Sequence, residues 1–251
     1  MIASQRNVYI LRRLDECGII DYKSISQELG VSEATVRRDF EKLEQSGKLR
    51  RVQGGAMRSE ADSALGELSI RAKHGIHADV KSAVAEAAAG EVEDGECIFL
   101  DMGTSLAPLG RILLQKPIRI ITNNNLILQG VTPSTRAEVH VVGGQFVPED
   151  HMFIGPQAEE MLSGCAFHRA FVGCMGIDAG KNAVYVTDTN TYRIKRLAMQ
   201  NARQSILLVD RSKLKKVGLF RLCGTKDFDR IYMDGEAPAV NGENFISVSR
   251  S

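Results

Sequence analysis

One stretch limits what this chain can become more than any other. Ser32 to Met57, SEATVRRDFEKLEQSGKLRRVQGGAM, is a helix with strong punctuation followed by a basic hairpin. Gly30 and Val31 close the preceding segment, Ser32 can accept an N–H of the first turn, and Glu33 stands where the helix dipole favours an acid. Val36, Phe40 and Leu43 recur at i, i+4 and i+7, an apolar face suited to pack against Ile25 and Leu29 and against Ile10 and Leu14. Ser32, Glu33, Thr35, Arg37, Arg38 and Glu41 are left outside. Hydroxyl residues at a helix N-terminus followed by two arginines suit a major groove, where hydroxyls meet phosphates and Arg meets phosphate or guanine edges. With an apolar segment at Asp21 to Leu29 just before it, the geometry expected is a helix-turn-helix.

Gly47 ends the helix, Lys48 to Val52 is expected as a short strand, and Gln53-Gly54-Gly55 turns the chain back through Ala56 to Arg58. Gly54 and Gly55 would let backbone approach a duplex closely, with Arg50 and Arg51 flanking the tip. Taken singly, paired arginines are a solvated face and paired glycines a hairpin turn. Their combination with two apolar helices selects DNA binding over a generic helical module. The run VSEATVRRDFEKLEQSGKLRRVQGGA resembles the N-terminal signature of the DeoR family of bacterial transcriptional regulators, over Arg6 to Ala56. That resemblance implies a winged helix-turn-helix ahead of a sugar-phosphate-sensing domain. Gln53 departs from it, since the family usually has His or Tyr before the two glycines.

Around this stretch, Asn7 to Leu14 reads as an amphipathic helix ended by Gly18, and Asp21 can cap a helix from Lys23 to Leu29. Ser59 to Gly66, SEADSALG, is small and polar without periodicity, so it reads as a linker. The organisation expected is a DNA-binding domain over 1–58, a linker over 59–72 and a larger α/β domain over 73–251. Net charge is +1, yet residues 1–58 hold 11 Lys/Arg against 8 Asp/Glu, so the basic excess lies on the DNA module. That excess is modest, and binding is expected to need more than one copy and to weaken with salt. Five scattered cysteines suit a reducing cytosol, and Cys165, His168 and Cys174 lack the second paired spacing of a metal site. Neither a metal nor an organic cofactor is expected. Without a charged-then-apolar leader or an apolar run near ~20 residues, the expectation is a soluble, cytoplasmic protein with no membrane partner.

Beyond the linker, Val80 to Val92 carries a helical stripe of Val80, Val84 and Ala87 or Ala88. Apolar runs then alternate with helical ones. CIFLD at 97–101 precedes a helix through Leu114, and IRIITN at 118–123 precedes Leu126 to Gln129. EVHVVGG at 138–144 ends in two glycines, and HRAFVGC at 168–174 leads to a helix from Thr189 to Ala202. SILLVD at 205–210 and RIYMD at 230–234 follow. The pattern predicts βαβ units and a mostly parallel sheet buried on both faces. Asp101, Thr122, Asn123, Gly143, Gly144, Gly173, Asp210 and Asp234 then stand at strand C-termini, the edge where open α/β sheets bind ligands.

Asp101-Met102-Gly103-Thr104-Ser105 joins a strand to a helix. Gly103 permits a tight turn, and the amides and hydroxyls of Thr104 and Ser105 would make an anion site at the helix N-terminus, best matched by a phosphate. An ordinary βα turn with a Thr cap is the alternative. Asp210 and Lys213 could converge on Thr104 as an acid for sugar hydroxyls and a base for phosphate. Lys195 joins them, unless with Arg193 and Arg196 it is only the basic face of an exposed helix. Arg71 and Lys81 could reach the same edge, but a structural role is favoured for both. DMGTS resembles the DeoR-family D-x-G-T-T turn. TN at 122–123, GG at 143–144, IKR and DRSK resemble further family segments in the expected order. The family's sensor is similar to ribose-5-phosphate isomerase, glucosamine-6-phosphate deaminase and CoA transferases, which implies a phosphorylated sugar or related metabolite as effector. Asn190 or Thr191 replaces the acidic residue that often precedes the late Lys in the family, so the effector can differ from the family's best-known sugars.

Two functions compete. One is a metabolite-controlled repressor of a sugar-catabolic operon, binding double-stranded operator DNA as a homo-oligomer; the other is a sugar-phosphate isomerase or deaminase with an added DNA-binding domain. The enzyme needs a general base beside the C1 or C2 proton. Asp101, Asp210 and Asp234 are candidates, but no His or Glu falls in the loops at the sheet edge, which favours the sensor.

Overall fold

In a computed structural model the described residues are 3–17, 19–52, 54–57, 78–240 and 242–249. Two compact units divide the chain, Met1–Ile76 and His77–Ser251. Gln53, Arg58, Arg71 and the expected linker over 59–72 lie outside the described residues.

The first unit is built from α1 (Ala3–Cys17), β1 (Ile19–Asp21), α2 (Tyr22–Leu29), α3 (Glu33–Gln45), β2 (Arg50–Val52) and β3 (Gly55–Met57). Asp21 caps α2 by accepting the Ser24 N–H at 2.8 Å, and Gly30 ends that helix at φ +63°. Ser32 caps α3 through the Thr35 N–H at 3.2 Å. Ile10, Leu14, Ile25, Val36, Phe40 and Leu43 fill one core, with the Tyr22 and Phe40 rings 5.1 Å apart. α1 runs further than the expected Asn7 to Leu14 because the apolar spacing marks only its buried stretch. β1 went unread from sequence: three residues carry no periodicity, and the strand exists because β3 pairs with it. The resulting sheet has the order β1-β3-β2.

The second unit starts with α4 (Ala78–Ala89) and β4 (Cys97–Leu100), then α5 (Ala107–Leu113), β5 (Arg119–Thr122), α6 (Asn125–Leu128) and β6 (Glu138–Val141). A hairpin of β7 (Gln145–Val147) and β8 (Met152–Ile154) leads into α7 (Pro156–Ser163) and β9 (Phe167–Val172). After β10 (Gly176–Asp178) and β11 (Ala183–Val186) come α8 (Thr189–Gln200), β12 (Ala202–Val209), β13 (Phe220–Cys223), β14 (Arg230–Asp234) and β15 (Phe245–Val248). Seven strands form one sheet in the order β15-β14-β12-β9-β4-β5-β6, and every pair in it is parallel. Alternate residues serve opposite faces, as the two-residue period requires. Ile98, Leu100, Ile120 and Ile206 pack with Val84, Leu109 and Ile127 from α4, α5 and α6. Phe99, Ile121 and Ala170 pack with Leu162, Ile194 and Ala198 from α7 and α8. Beside those helices, the small sheet β10-β11-β13 covers Leu207, Val209 and Ile231.

Two expected boundaries move. The helix expected through Ala202 stops at Gln200, because Ala202 already pairs with Phe167 in the sheet. The helix after Asp101 begins only at Ala107, so Thr104 and Ser105 lie in the turn before it.

The chain enters the sheet at β4 in the middle and builds outward through β5 and β6. It then returns to β9 on the other side of β4 and builds outward again through β12, β14 and β15. The order therefore reverses between β4 and β9, the switch point at whose strand C-termini doubly wound sheets hold ligands.

Candidate functional site

On α3, Ser32, Arg37 and Arg38 are exposed and Thr35 is half-buried. The Ser32 and Thr35 hydroxyls meet at 3.0 Å. Arg37 lies over the Tyr22 ring, 4.8 Å from its centroid, and 4.0 Å from the Glu33 carboxylate. On the hairpin, Arg50 and Arg51 are exposed. Glu44 accepts both the Arg51 amide at 2.8 Å and its Nε at 2.6 Å. Those bonds hold the Glu44 carboxyl below its ordinary value and raise the Arg51 guanidinium.

The two hairpin glycines separate in role. Gly54 is exposed at φ +88°, a backbone that favours glycine. Gly55 was expected to let a duplex approach, but it is buried, and a Cβ there would overlap the Ile20 carbonyl oxygen. What approaches Gly55 closely is β1.

The second cluster gathers at the strand ends beside the switch point. Asp101 follows β4 fully buried, and its Oδ2 accepts the Gly173 N–H at 3.0 Å from the end of β9. The same oxygen pairs with Lys195 of α8, itself 3% exposed. Lys195 is thus no part of an exposed basic face; two positions along α8, about 200° of rotation, carry it inward while Arg193 stays out. Thr122 ends β5 and donates to the Leu100 carbonyl at 2.6 Å, tying two strand ends together. Asn123 is buried, with its Nδ2 3.4 Å from the Phe153 carbonyl. Among the described residues, Asp101 Oδ1 and Asn123 Oδ1 are buried without a hydrogen-bond partner. Such acceptors cost free energy unless a donor reaches them.

Thr104, Lys213 and Gly144 each take definite partners at this edge. Thr104 does not cap a helix: its Oγ1 accepts the Lys81 ammonium at 3.0 Å, and Leu106 holds the cap position of α5. Lys213 lies on the same edge, where it acts with Lys195, Asp101 and Asp210 on the Cys174 thiol. It stands in the turn Arg211–Lys213 and donates to the Cys174 carbonyl at 2.7 Å. Gly144, at φ +111°, lies where a Cβ would overlap the Ile154 carbonyl, so the close approach it permits is that of the β7-β8 hairpin. Gly143 beside it faces open space. Asp210 accepts the Ser212 N–H at 3.1 Å, and with Ser105, Lys81 and Val84 it lines a small cleft.

Lys81, Asn124 and the Arg6–Asp39 pair carry more than sequence reasoning assigned to them. Lys81 comes from α4, where a lysine next to Val80 and three residues before Val84 reads as a helix edge; its burial depends on the sheet it meets. Asn124 is buried, donates to the Asp101 and Gly103 carbonyls at 3.0 and 3.1 Å, and accepts from Leu126 N at 2.9 Å. It braces the Asp101–Gly103 turn, in which Gly103 takes φ +102°. An Asn directly ahead of a helical run was the available signal. In the first unit, Arg6 donates to Asp39 through Nε at 2.7 Å and Nη2 at 3.1 Å, joining α1 to α3. Cys165 and His168 take backbone partners, the thiol donating to the Met161 carbonyl and the ring accepting from Cys97 N.

A family model for the DeoR-like helix-turn-helix domain matches residues 6–61, and one for the DeoR C terminal sensor domain matches residues 76–235. An Escherichia coli O157:H7 protein assigned as an aga operon transcriptional repressor is 29% identical over 238 residues, 94% of this chain and 88% of that protein. The lactose phosphotransferase system repressor of Staphylococcus aureus (strain NCTC 8325 / PS 47) is 29% identical over 231 residues, 90% of each chain. Among solved structures, ribose 5-phosphate isomerase A of Methanocaldococcus jannaschii aligns with a TM-score of 0.40 at 20% identity. That match covers 55% of this chain and 54% of the isomerase, so the chain spans about half the isomerase's length.

Proposed function

Because this chain belongs to the DeoR family of transcriptional regulators, we propose that it represses a sugar-catabolic operon and that a phosphorylated sugar sets its affinity for the operator. In this reading residues 1–58 bind DNA, 59–72 link the domains and 73–251 sense the effector. Ser32, Thr35, Arg37, Arg38, Arg50 and Arg51 meet the duplex. Both relatives compared above are named as repressors, which supports the sign, and the Staphylococcus aureus one is named for a lactose system, which supports the class of ligand. The isomerase alternative gains nothing from them.

The observation that carries the effector reading is a pair of unpartnered buried acceptors at the strand ends beside the switch point. Two buried acceptors, Asp101 Oδ1 and Asn123 Oδ1, await donors at neighbouring strand ends, and Lys81 and Lys195 stand close by. Hydroxyl groups supply such donors, and the ammonium of Lys81 with the hydroxyls of Thr104 and Ser105 suits a phosphate. Gly103 and Asp210 shape the walls. Binding as a homo-oligomer on paired half-sites fits the small basic excess of the DNA module.

The test is a thermal-shift screen of the full chain against phosphorylated sugars and their unphosphorylated parents. A ligand at a hundred times its dissociation constant adds about 2.7 kcal/mol to stability. A shift with one phosphorylated sugar that is not turned over supports the sensor. Turnover of that sugar would establish the enzyme, and a shift with the unphosphorylated parent alone would exclude the phosphate site.

A further inference from the structure

The two adjacent arginines of α3 are held differently, and their angular positions say what each can reach. At about 100° per residue, Val36, Asp39, Phe40 and Leu43 define the inward direction, and all four are buried. Arg38 lies about 200° from Val36, at the centre of the outward face, next to the short Ala34 one turn before it. Arg37 lies only about 100° from Val36, on the flank of the helix. There it stacks over the Tyr22 ring at 4.8 Å and faces Glu33. Arg38 has no hydrogen bond or ion pair among the described residues.

A helix seated in a major groove turns its outermost residues to the base edges and its flanks to the phosphates on the groove walls. Resting on the proposed role as a DNA-binding regulator, we infer that the two arginines divide the work: Arg38 reads a base, and Arg37 holds the phosphate backbone. Stacking restricts Arg37 to one direction, which suits a contact made on every sequence. Arg38 keeps the freedom to present both nitrogens to the O6 and N7 of a guanine, and Ala34 leaves it room to do so. The inference therefore specifies a guanine in the operator half-site whose recognition depends on Arg38 alone.

The test is selection of bound duplexes from a random pool by the full-length chain, followed by anisotropy titrations on the selected duplex and on a scrambled one at several salt concentrations. Arg38→Ala is expected to lose the preference at one guanine position, with selected and scrambled duplexes drawing together by about tenfold or more. Arg38→Lys should not restore that preference, because an ammonium lacks the two-pronged geometry. Arg37→Ala is expected to weaken both duplexes by the same factor and to flatten the slope of log K against log salt by about one. Arg37→Lys, which keeps the charge and loses the stack, should retain the selected motif, and its thermal unfolding curve reports whether the fold is intact. A motif kept in full by Arg38→Ala, or a base preference altered by Arg37→Lys, overturns the division. A wild-type chain that enriches no motif overturns the regulator reading itself, and the assignment with it.

Discussion

Asp101 and Lys195 stand 94 positions apart in sequence and meet with almost no access to water. Removing one partner of such a pair leaves a buried charge uncompensated and costs about 3–5 kcal/mol. Lys195→Met should destabilise the chain by about that amount in urea unfolding, and adding Asp101→Asn should recover part of the loss. Additive losses would mean that the two do not interact energetically. Thr104→Val removes the acceptor of the Lys81 ammonium while keeping the shape. It should cost about 1–3 kcal/mol and abolish the thermal shift given by the phosphorylated sugar, with operator affinity unchanged. The buried thiols give a pH prediction. Burial raises Cys174 and pushes Cys223 up to about 12. A thiol raised above its unfolded value contributes stability that is intact below 9.0, the unperturbed value, and lost as pH rises from there toward the folded value. The stability of the second unit should thus fall with pH above about 9, as unfolding curves would report. Native Cys174 and Cys223 should also resist iodoacetamide at neutral pH until the chain unfolds.

Among the elements, the hairpin β2-β3 shows how a motif can be visible while its reason is not. Two glycines in a row announce a turn, and proximity to DNA is a natural account of both. The pairing of β1 with β3 divides them: Gly54 needs its positive φ, and Gly55 needs the absence of a Cβ. Gly55→Ala should cost about 3 kcal/mol or more and abolish DNA binding, whereas Gly54→Ala should cost only about 1 kcal/mol. Circular-dichroism melting with a binding titration distinguishes the two, and equal effects would contradict the pairing. The helix caps were legible because they are local: Asp21 and Ser32 bond within three residues of themselves. The start of α5 was less so, since a D-x-G-T-S turn reads the same whether the helix begins at Thr104 or at Ala107.

For the whole molecule, two compact units in one chain make control a matter of coupling between two binding events. If the sugar weakens operator binding by a given factor, linkage requires the operator to weaken sugar binding by the same factor, and a coupling of about 1–3 kcal/mol is typical. Calorimetric titration of the sugar with and without operator duplex checks this equality, and unequal factors would mean that a further species, such as another oligomer, takes part. No described helix is long and apolar enough to cross a membrane.

What the sequence by itself determined is what neighbours along the chain decide. Capping residues, the 3.6-residue stripe of α3 and the apolar runs of the parallel strands are each written within a dozen positions, so the helix-turn-helix and the α/β layering could be read directly. The order of the strands was not written there. Only the folded chain, returning from β6 to lay β9 beside β4, creates the switch point, turns Lys195 inward onto Asp101 and sets Lys81 against Thr104. A lysine on a helix looks exposed until a sheet edge from far along the chain buries it, and its meaning depends on contacts that no local pattern records.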